Sequence, residues 1–220
     1  MKLISAAIFA ATLAASAGTA GAGTISIGLQ EAGFFGGATT TVSTGSDSAG
    51  LVGYSYGTFS LNNLSALGST APGSLFSNAI NATTSSAGIL MIYVTQQGIT
   101  APITAANFMS SFTANLIPVG WTVKETTYYN NTNALYSGTL LATTLFSSAS
   151  TSVNFVDPAL VGSGPYSLTE VYTISATSGG GTTNNTIDLT PVPEPSTLGL
   201  LGLGLIGIGL VRRRLLANKI

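Results

Sequence analysis

The sequence predicts an all-β protein, an antiparallel β-sandwich of about 8–10 short strands, and three observations lead there. Between positions 23 and 190, apolar residues alternate with polar ones at period two, as strands with one buried face do. Glycine- and asparagine-rich breaks separate these stretches: Gly36-Gly37, Asn62-Asn63, Asn130-Asn131 and Gly179-Gly180-Gly181. No part of this region carries a capped 3.6-residue pattern longer than about two turns, and no fixed-period repeat suggests a solenoid.

The elements follow in order. Ile25, Ile27 and Leu29 open the region on one face. Residues 51–61, 89–96 and 108–116 read as strands, with a short helical turn expected at 100–107. Trp121, Val123, Thr127 and Tyr129 share a face, residues 139–146 form a further strand, and Val153 and Phe155 mark another. Tyr166, Leu168, Tyr172 and Ile174 give the clearest alternation of all. Residues 175–185, rich in Gly, Thr and Asn, read as a long hairpin loop before a last strand at 186–189. Beyond Asp188 the prolines imply an extended spacer.

Of the 220 residues, 45% are hydrophobic but only 6% are charged, and there is no Cys or His. An ordinary soluble domain carries about 25% charged residues. The two zeros exclude disulfides, thiolate or imidazole metal sites, a Cys nucleophile and any histidine base. Between the two ends, Lys124 faces Glu31, Asp47, Glu125, Asp157, Glu170 and Asp188, a net charge of −5. One lysine makes no phosphate-tracking surface, so nucleic acid is not a partner.

The ends carry addresses. Met1-Lys2, a short apolar run and the small-residue sites Ala15-Ser16-Ala17 and Ala20-Gly21-Ala22 make a secretory signal peptide over 1–22, cut after Ala22 in preference to Ala17. Signal peptidase and the general secretion machinery are the implied partners. At the other end, Pro193, Glu194 and Pro195 precede fourteen apolar or glycine residues at 198–211, and Arg212, Arg213 and Arg214 stop the run. A helix of that length reaches about 21 Å, short of the roughly 30 Å hydrocarbon core. The arginines hold their side in the cytoplasm and leave 215–220 as a cytoplasmic tail. Exported start and cytoplasmic end agree on one topology, with 23–190 outside as a secreted domain and 191–214 as the sorting segment. A short, glycine-loosened helix suits a temporary stop for a processing enzyme better than a permanent anchor.

This tail resembles the PEP-CTERM sorting signal of Gram-negative bacteria: Pro-Glu-Pro, a short transmembrane helix, then an arginine cluster. The resemblance implies that an exosortase, a membrane-embedded cysteine transpeptidase-like enzyme, recognises and removes the tail. It further implies a transient inner-membrane intermediate, then the cell surface or an extracellular matrix associated with polysaccharide and biofilm. It assigns a route and no activity.

Other motifs fail on context. Gly53-Tyr54-Ser55-Tyr56-Gly57 matches the G-x-S-x-G elbow, yet no histidine serves it and Lys124 is the only lysine between the ends. Gly202-Leu203-Gly204-Leu205-Ile206-Gly207 matches a dinucleotide fingerprint but lies in the apolar tail, outside any βαβ unit. No D-x-D-x-D-G cluster suggests calcium, and no cofactor or metal is expected. Asn63, Asn81, Asn130 and Asn184 begin glycosylation-type triplets. Paired carboxylates are the one catalytic device left: Glu125 and Glu170 share faces with apolar neighbours and would meet if their strands were adjacent, as a glycosidase requires.

The leading expectation is a non-enzymatic, exported protein with a structural or adhesive role in exopolysaccharide or biofilm matrix, with no catalytic residues. Its neutral, hydroxyl-rich surface suits polysaccharide, with exposed tyrosines and Trp121 stacking on sugar rings. The alternatives are a carbohydrate-active enzyme using the carboxylates, an ice-binding protein resting on Thr39-Thr40-Thr41, or a self-assembling protein joined through 88–95.

Overall fold

The computed structural model describes residues 23–192, apart from Ile103 and Ser163, together with Gly204 and Ile206. The described residues form twelve strands, more than the number expected, and one 3-10 turn at Phe35–Gly37. The first six are β1 (Thr24–Glu31), β2 (Thr40–Ser46), β3 (Ser48–Tyr56), β4 (Phe59–Thr70), β5 (Gly73–Thr84) and β6 (Gly88–Ile99). The second six are β7 (Thr104–Leu116), β8 (Thr122–Asn130), β9 (Thr139–Phe146), β10 (Ser150–Val161), β11 (Tyr166–Ala176) and β12 (Thr182–Val192). They make two six-stranded sheets, ordered β2-β1-β6-β11-β8-β9 and β10-β7-β12-β5-β4-β3, with every pairing antiparallel. The expected all-β architecture is therefore present as two packed antiparallel sheets.

Alternation drives the packing. Ile25, Ile27 and Leu29 of β1, Leu90, Ile92 and Val94 of β6, and Leu168, Tyr172 and Ile174 of β11 point inward from the first sheet and are fully buried. Leu61 and Leu64 of β4, Leu75 of β5, Phe108 and Phe112 of β7, and Ile187 and Leu189 of β12 meet them from the second. Burying each such side chain stabilises the fold by about 1.5–3 kcal/mol.

Several local expectations need correcting. Residues 51–61 are two strands, not one, because Gly57 and Thr58 form the tight turn of the β3–β4 hairpin, where Tyr56 pairs with Phe59. Gly57 has a φ of 58°, and a Cβ there would strike the Glu31 carboxylate. That carboxylate, itself buried, accepts the Thr58 backbone N–H at 3.0 Å and its hydroxyl at 2.6 Å. The turn expected at 100–107 is largely strand, since β7 starts at Thr104 and its first residues pair with β10. Residues 175–185 are not a hairpin loop: β11 and β12 belong to different sheets, and the connection is only residues 177–181. The spacer expected past Asp188 is instead the end of β12, where Pro191 and Val192 stand opposite Phe108 and Asn107. The folded body thus reaches two residues beyond position 190.

The signal segment 1–22 with Ala20 and Ala22, the Pro193, Glu194 and Pro195 motif and the Arg212, Arg213 and Arg214 cluster all lie outside the described residues. So does the expected transmembrane helix, apart from Gly204 and Ile206, both helical. Among the described residues no helix is long and apolar enough to cross a membrane.

Candidate functional site

The two expected carboxylates do stand on neighbouring strands. β8 and β11 pair so that Glu125 lies opposite Tyr172 and Glu170 opposite Thr127, which sets the two acids diagonally on one face. That face is the inner one: both glutamates are 0% exposed. Burial pushes the Glu125 carboxyl up to about 9, against a weaker pull from the Thr113 backbone. Burial also drives Glu170 well above the usual carboxylate range; the Ser77 hydrogen bond opposes this, while Asp188 and Glu125 add to it. Both are therefore neutral acids at pH 7.

A polar chain is threaded through the core around them. The Ile187 N–H donates to the Tyr172 hydroxyl at 2.9 Å. The hydroxyls of Tyr172 and Ser77 are 2.5 Å apart, and Ser77 donates to Glu170 Oε2 at 2.5 Å. Ser110 and Thr127 join their hydroxyls at 2.7 Å alongside. This network crosses from the first sheet to the second, and no substrate reaches it without separating them.

Trp121, expected on the surface, is buried at 2% exposure, its Nε1 donating to the Ser178 carbonyl at 3.1 Å. Ser55 of the elbow-like motif lies within β3 and bonds Ser60 across the hairpin, so no strand-to-helix turn presents it. Asn81 and Asn184 belong to a side-chain ladder that Asn115 completes: Asn115 Nδ2 donates to Asn184 Oδ1, and Asn184 Nδ2 to Asn81 Oδ1. Asn130 caps its own turn by accepting from Thr132 N–H at 2.8 Å. Among the described residues no group of three or more acidic side chains is arranged to hold a metal.

One accessible feature is a groove of about 360 Å³ on the outer face of the first sheet. Its floor is Val171 and Thr173 of β11 with Thr126 of β8. Met91 and Tyr93 of β6 rise on one side, and Lys124 and Tyr128 of β8 on the other. β6 and β8 flank β11, so the walls stand about 10 Å apart, two strand spacings. The β8–β9 loop closes one end with Tyr136, Ser137 and Gly138.

That loop folds back over the sheet by identifiable bonds. Ser167 donates to the Ala134 carbonyl at 2.7 Å, the Gly98 N–H to Asn133 Oδ1 at 2.8 Å, and the Tyr136 N–H to Thr95 Oγ1 at 3.3 Å. The Tyr136 ring then lies on Gly28, where a Cβ would come within 2.7 Å of its Cζ. Its hydroxyl meets that of Thr41 at 2.7 Å, and its ring sits 5.6 Å from that of Tyr93. Tyr93 donates to Gln30 Oε1 at 2.8 Å, and Gln30 in turn donates to the Gly37 carbonyl. Partial burial raises both phenols, Tyr93 with Thr39 opposing and Tyr136 with Thr41 opposing, so both stay protonated hydroxyl donors. Neither tyrosine stood out in the sequence. The one available signal was Gly28, a glycine inside an apolar strand, which marks a close approach by another group.

Solved structures similar to this chain are distant. One is the enzymatically active domain of tailspike protein 4 of bacteriophage CBA120, at 12% identity and a TM-score of 0.31, covering 55% of this chain and 16% of that one. Another is the endo-1,4-beta-D-xylanase 10B CBM22-1-GH10 structure of Clostridium thermocellum, at 14% and 0.35, covering 67% and 26%. A third is the Epithelial Adhesin 6 A domain of Candida glabrata, at 11% and 0.32, covering 82% and 84%. The chain thus spans about a quarter or less of the first two. No curated protein sequence matches it. The family model for the PEP-CTERM protein-sorting motif does match, over residues 191–214, so the chain carries that motif directly behind its β-sandwich.

Proposed function

We propose that the chain is an exported protein whose tail is removed by an exosortase and whose folded body then serves a non-enzymatic, structural or adhesive role in the polysaccharide matrix at the cell surface. The observation that carries this reading is the sorting motif at 191–214, which begins on the last strand of the sandwich. The groove supports it: open, walled by tyrosines and floored by hydroxyl-bearing and apolar side chains, it suits a sugar ring with one apolar face and polar edges. A polysaccharide-cleaving role would need an acid pair that water and substrate can reach, and Glu125 and Glu170 are sealed between the sheets.

The test is the intact mass of the protein recovered from its own cells' surface and medium, beside an Arg212→Ala/Arg213→Ala/Arg214→Ala variant. A chain starting at Gly23 and ending within 192–195, with the variant unprocessed, is the expected result. A native chain held in the inner membrane with its full C-terminus would overturn the proposal.

A further inference from the structure

The outer face of the first sheet is electrically unlike the rest of the molecule. Three acids lie on its strands. Glu125 and Glu170 point inward, and Glu31 is buried against Thr58 at the β3–β4 turn. Asp157 and Asp188 are on strands of the other sheet, and Asp47 lies at the corner between β2 and β3. The outer face therefore carries one charged side chain, Lys124, the only cationic side chain in 23–192. Lys124 is exposed and, among the described residues, has no carboxylate partner. It stands on the groove wall, opposite Thr173 of β11 and Leu145 of β9.

We infer that the groove takes a sugar residue bearing a carboxylate, a hexuronate unit of an acidic polysaccharide, with Lys124 as its counter-ion. The inference rests on the polysaccharide-matrix reading above and names the substrate class of that site. Each part of the groove answers one part of such a ligand. Tyr93, Tyr128 and Tyr136 offer flat apolar faces to the ring's C–H surface, and Tyr128 adds its hydroxyl at an edge, those of Tyr93 and Tyr136 being held by Gln30 and Thr41. Thr173 and Ser137 add further hydroxyls. Lys124 supplies what a neutral sugar would leave unused, a charge-assisted bond. Lysine acts as a compact point charge on a flexible stem, so it follows a carboxylate through small changes of ring pose. No acid lines the groove to compete with that carboxylate. Because the pair is solvent-exposed, its contribution weakens as salt rises.

The experiment titrates the full chain, purified in a polyoxyethylene detergent so that no glycoside competes, with short oligogalacturonates and oligomannuronates. Each is compared with the same oligomer after its carboxyls are reduced to alcohols. The expected result is acidic binding about tenfold tighter than that of at least one reduced counterpart, the advantage disappearing in Lys124→Met and at high salt. Tyr128→Ala is expected to weaken acidic and reduced oligomers alike. Both variants should keep the native melting temperature, since each side chain faces the groove. Equal binding of acidic and reduced oligomers, indifferent to Lys124→Met, would overturn the carboxylate assignment and leave the polysaccharide reading standing. No binding of any oligomer, with Lys124→Met and native protein both folded, would overturn the groove as a sugar site even if the mass measurement confirms export and processing.

Discussion

A carboxyl group with no exposed surface, and with only a backbone contact opposing its burial, is held as the neutral acid; Glu125 is such a group. Its folded-state value of about 9 lies above the ordinary glutamate value of 4.5, so the native state keeps a proton that the unfolded chain gives up. The sign follows: the contribution is fully present below about pH 4.5 and is lost as pH rises toward about 9, each unit costing about 1.4 kcal/mol. Glu125→Gln, neutral at every pH, is expected to flatten this slope and raise the melting temperature at pH 8 while changing little at pH 4. A denaturation series across pH on both proteins checks it, and parallel slopes would mean that Glu125 is solvated. Asp47 ties down the start of the folded body. Its Oδ1 accepts the Gly23 N–H at 2.8 Å, its own N–H donates to the Gly23 carbonyl at 3.0 Å, and its carbonyl accepts from Gly68. Cleavage after Ala22 would turn that Gly23 N–H into an ammonium facing a carboxylate, the stronger kind of bond. Asp47→Ala is therefore expected to destabilise the processed protein by about 1.5–3 kcal/mol and an unprocessed precursor by less, as denaturant unfolding of the two forms would report.

Among the elements, the β8–β9 loop owes its position to a glycine on another strand. Gly28→Val would put side-chain atoms where the Tyr136 ring lies, and overpacking of this kind costs about 1–3 kcal/mol. Tyr136→Phe keeps the ring on Gly28 and removes only the Thr41 contact, so it is expected to cost about 1 kcal/mol or less. Chemical denaturation of the two variants should rank them in that order. Segment 88–95, expected from its composition to join chains edge to edge, is most of β6 and is bonded to β1 on one side and β11 on the other. Thioflavin staining of the native protein should accordingly stay negative across concentrations and turn positive only under unfolding conditions. The strands legible in the sequence, β1, β6, β7, β8, β9, β10, β11 and part of β12, are those along which apolar residues recur at period two, even where Gln96 or Glu170 interrupts the inner face. β5 was not legible, because it turns Ser77 toward Glu170 and Tyr172, and a polar interior erases the alternation. β10 was marked by Val153 and Phe155, and it tolerates Pro158 because it is the edge of its sheet. β2, the opposite case, is an edge strand with no buried residue. Alternation places Glu125 and Glu170 on the apolar faces of their strands. That the two strands are neighbours and set the acids diagonally could not be read from it, because alternation fixes which residues share a face and not which strands pair.

At the scale of the molecule, the order of strands ties folding to export. β12 is not an edge: it lies between β7 and β5, and it is the last strand among the described residues. The second sheet is therefore in two pieces until the residues next to the sorting signal have been translocated. Only 193–197 separate β12 from the apolar run that begins at Leu198, and the chain from Val192 to Leu198 spans at most about 20 Å. On the proposed reading a completed sandwich would sit close against the membrane while its tail remains, and a cut within Pro193-Glu194-Pro195 would free it without removing a sheet bond. A chain ending at Val192 is expected to unfold cooperatively, at the same melting temperature as the processed protein. A chain ending at Thr183 lacks Ile187 and Leu189, both fully buried, and the Ile187 N–H that orients Tyr172. It is expected to show no cooperative transition, since β7 and β5 lose the strand that joins them. Circular dichroism melts of the two truncations decide the matter. If the shorter chain melted like the longer one, β12 would be dispensable, and the placement of the sorting signal directly behind it would have no bearing on when the domain becomes whole.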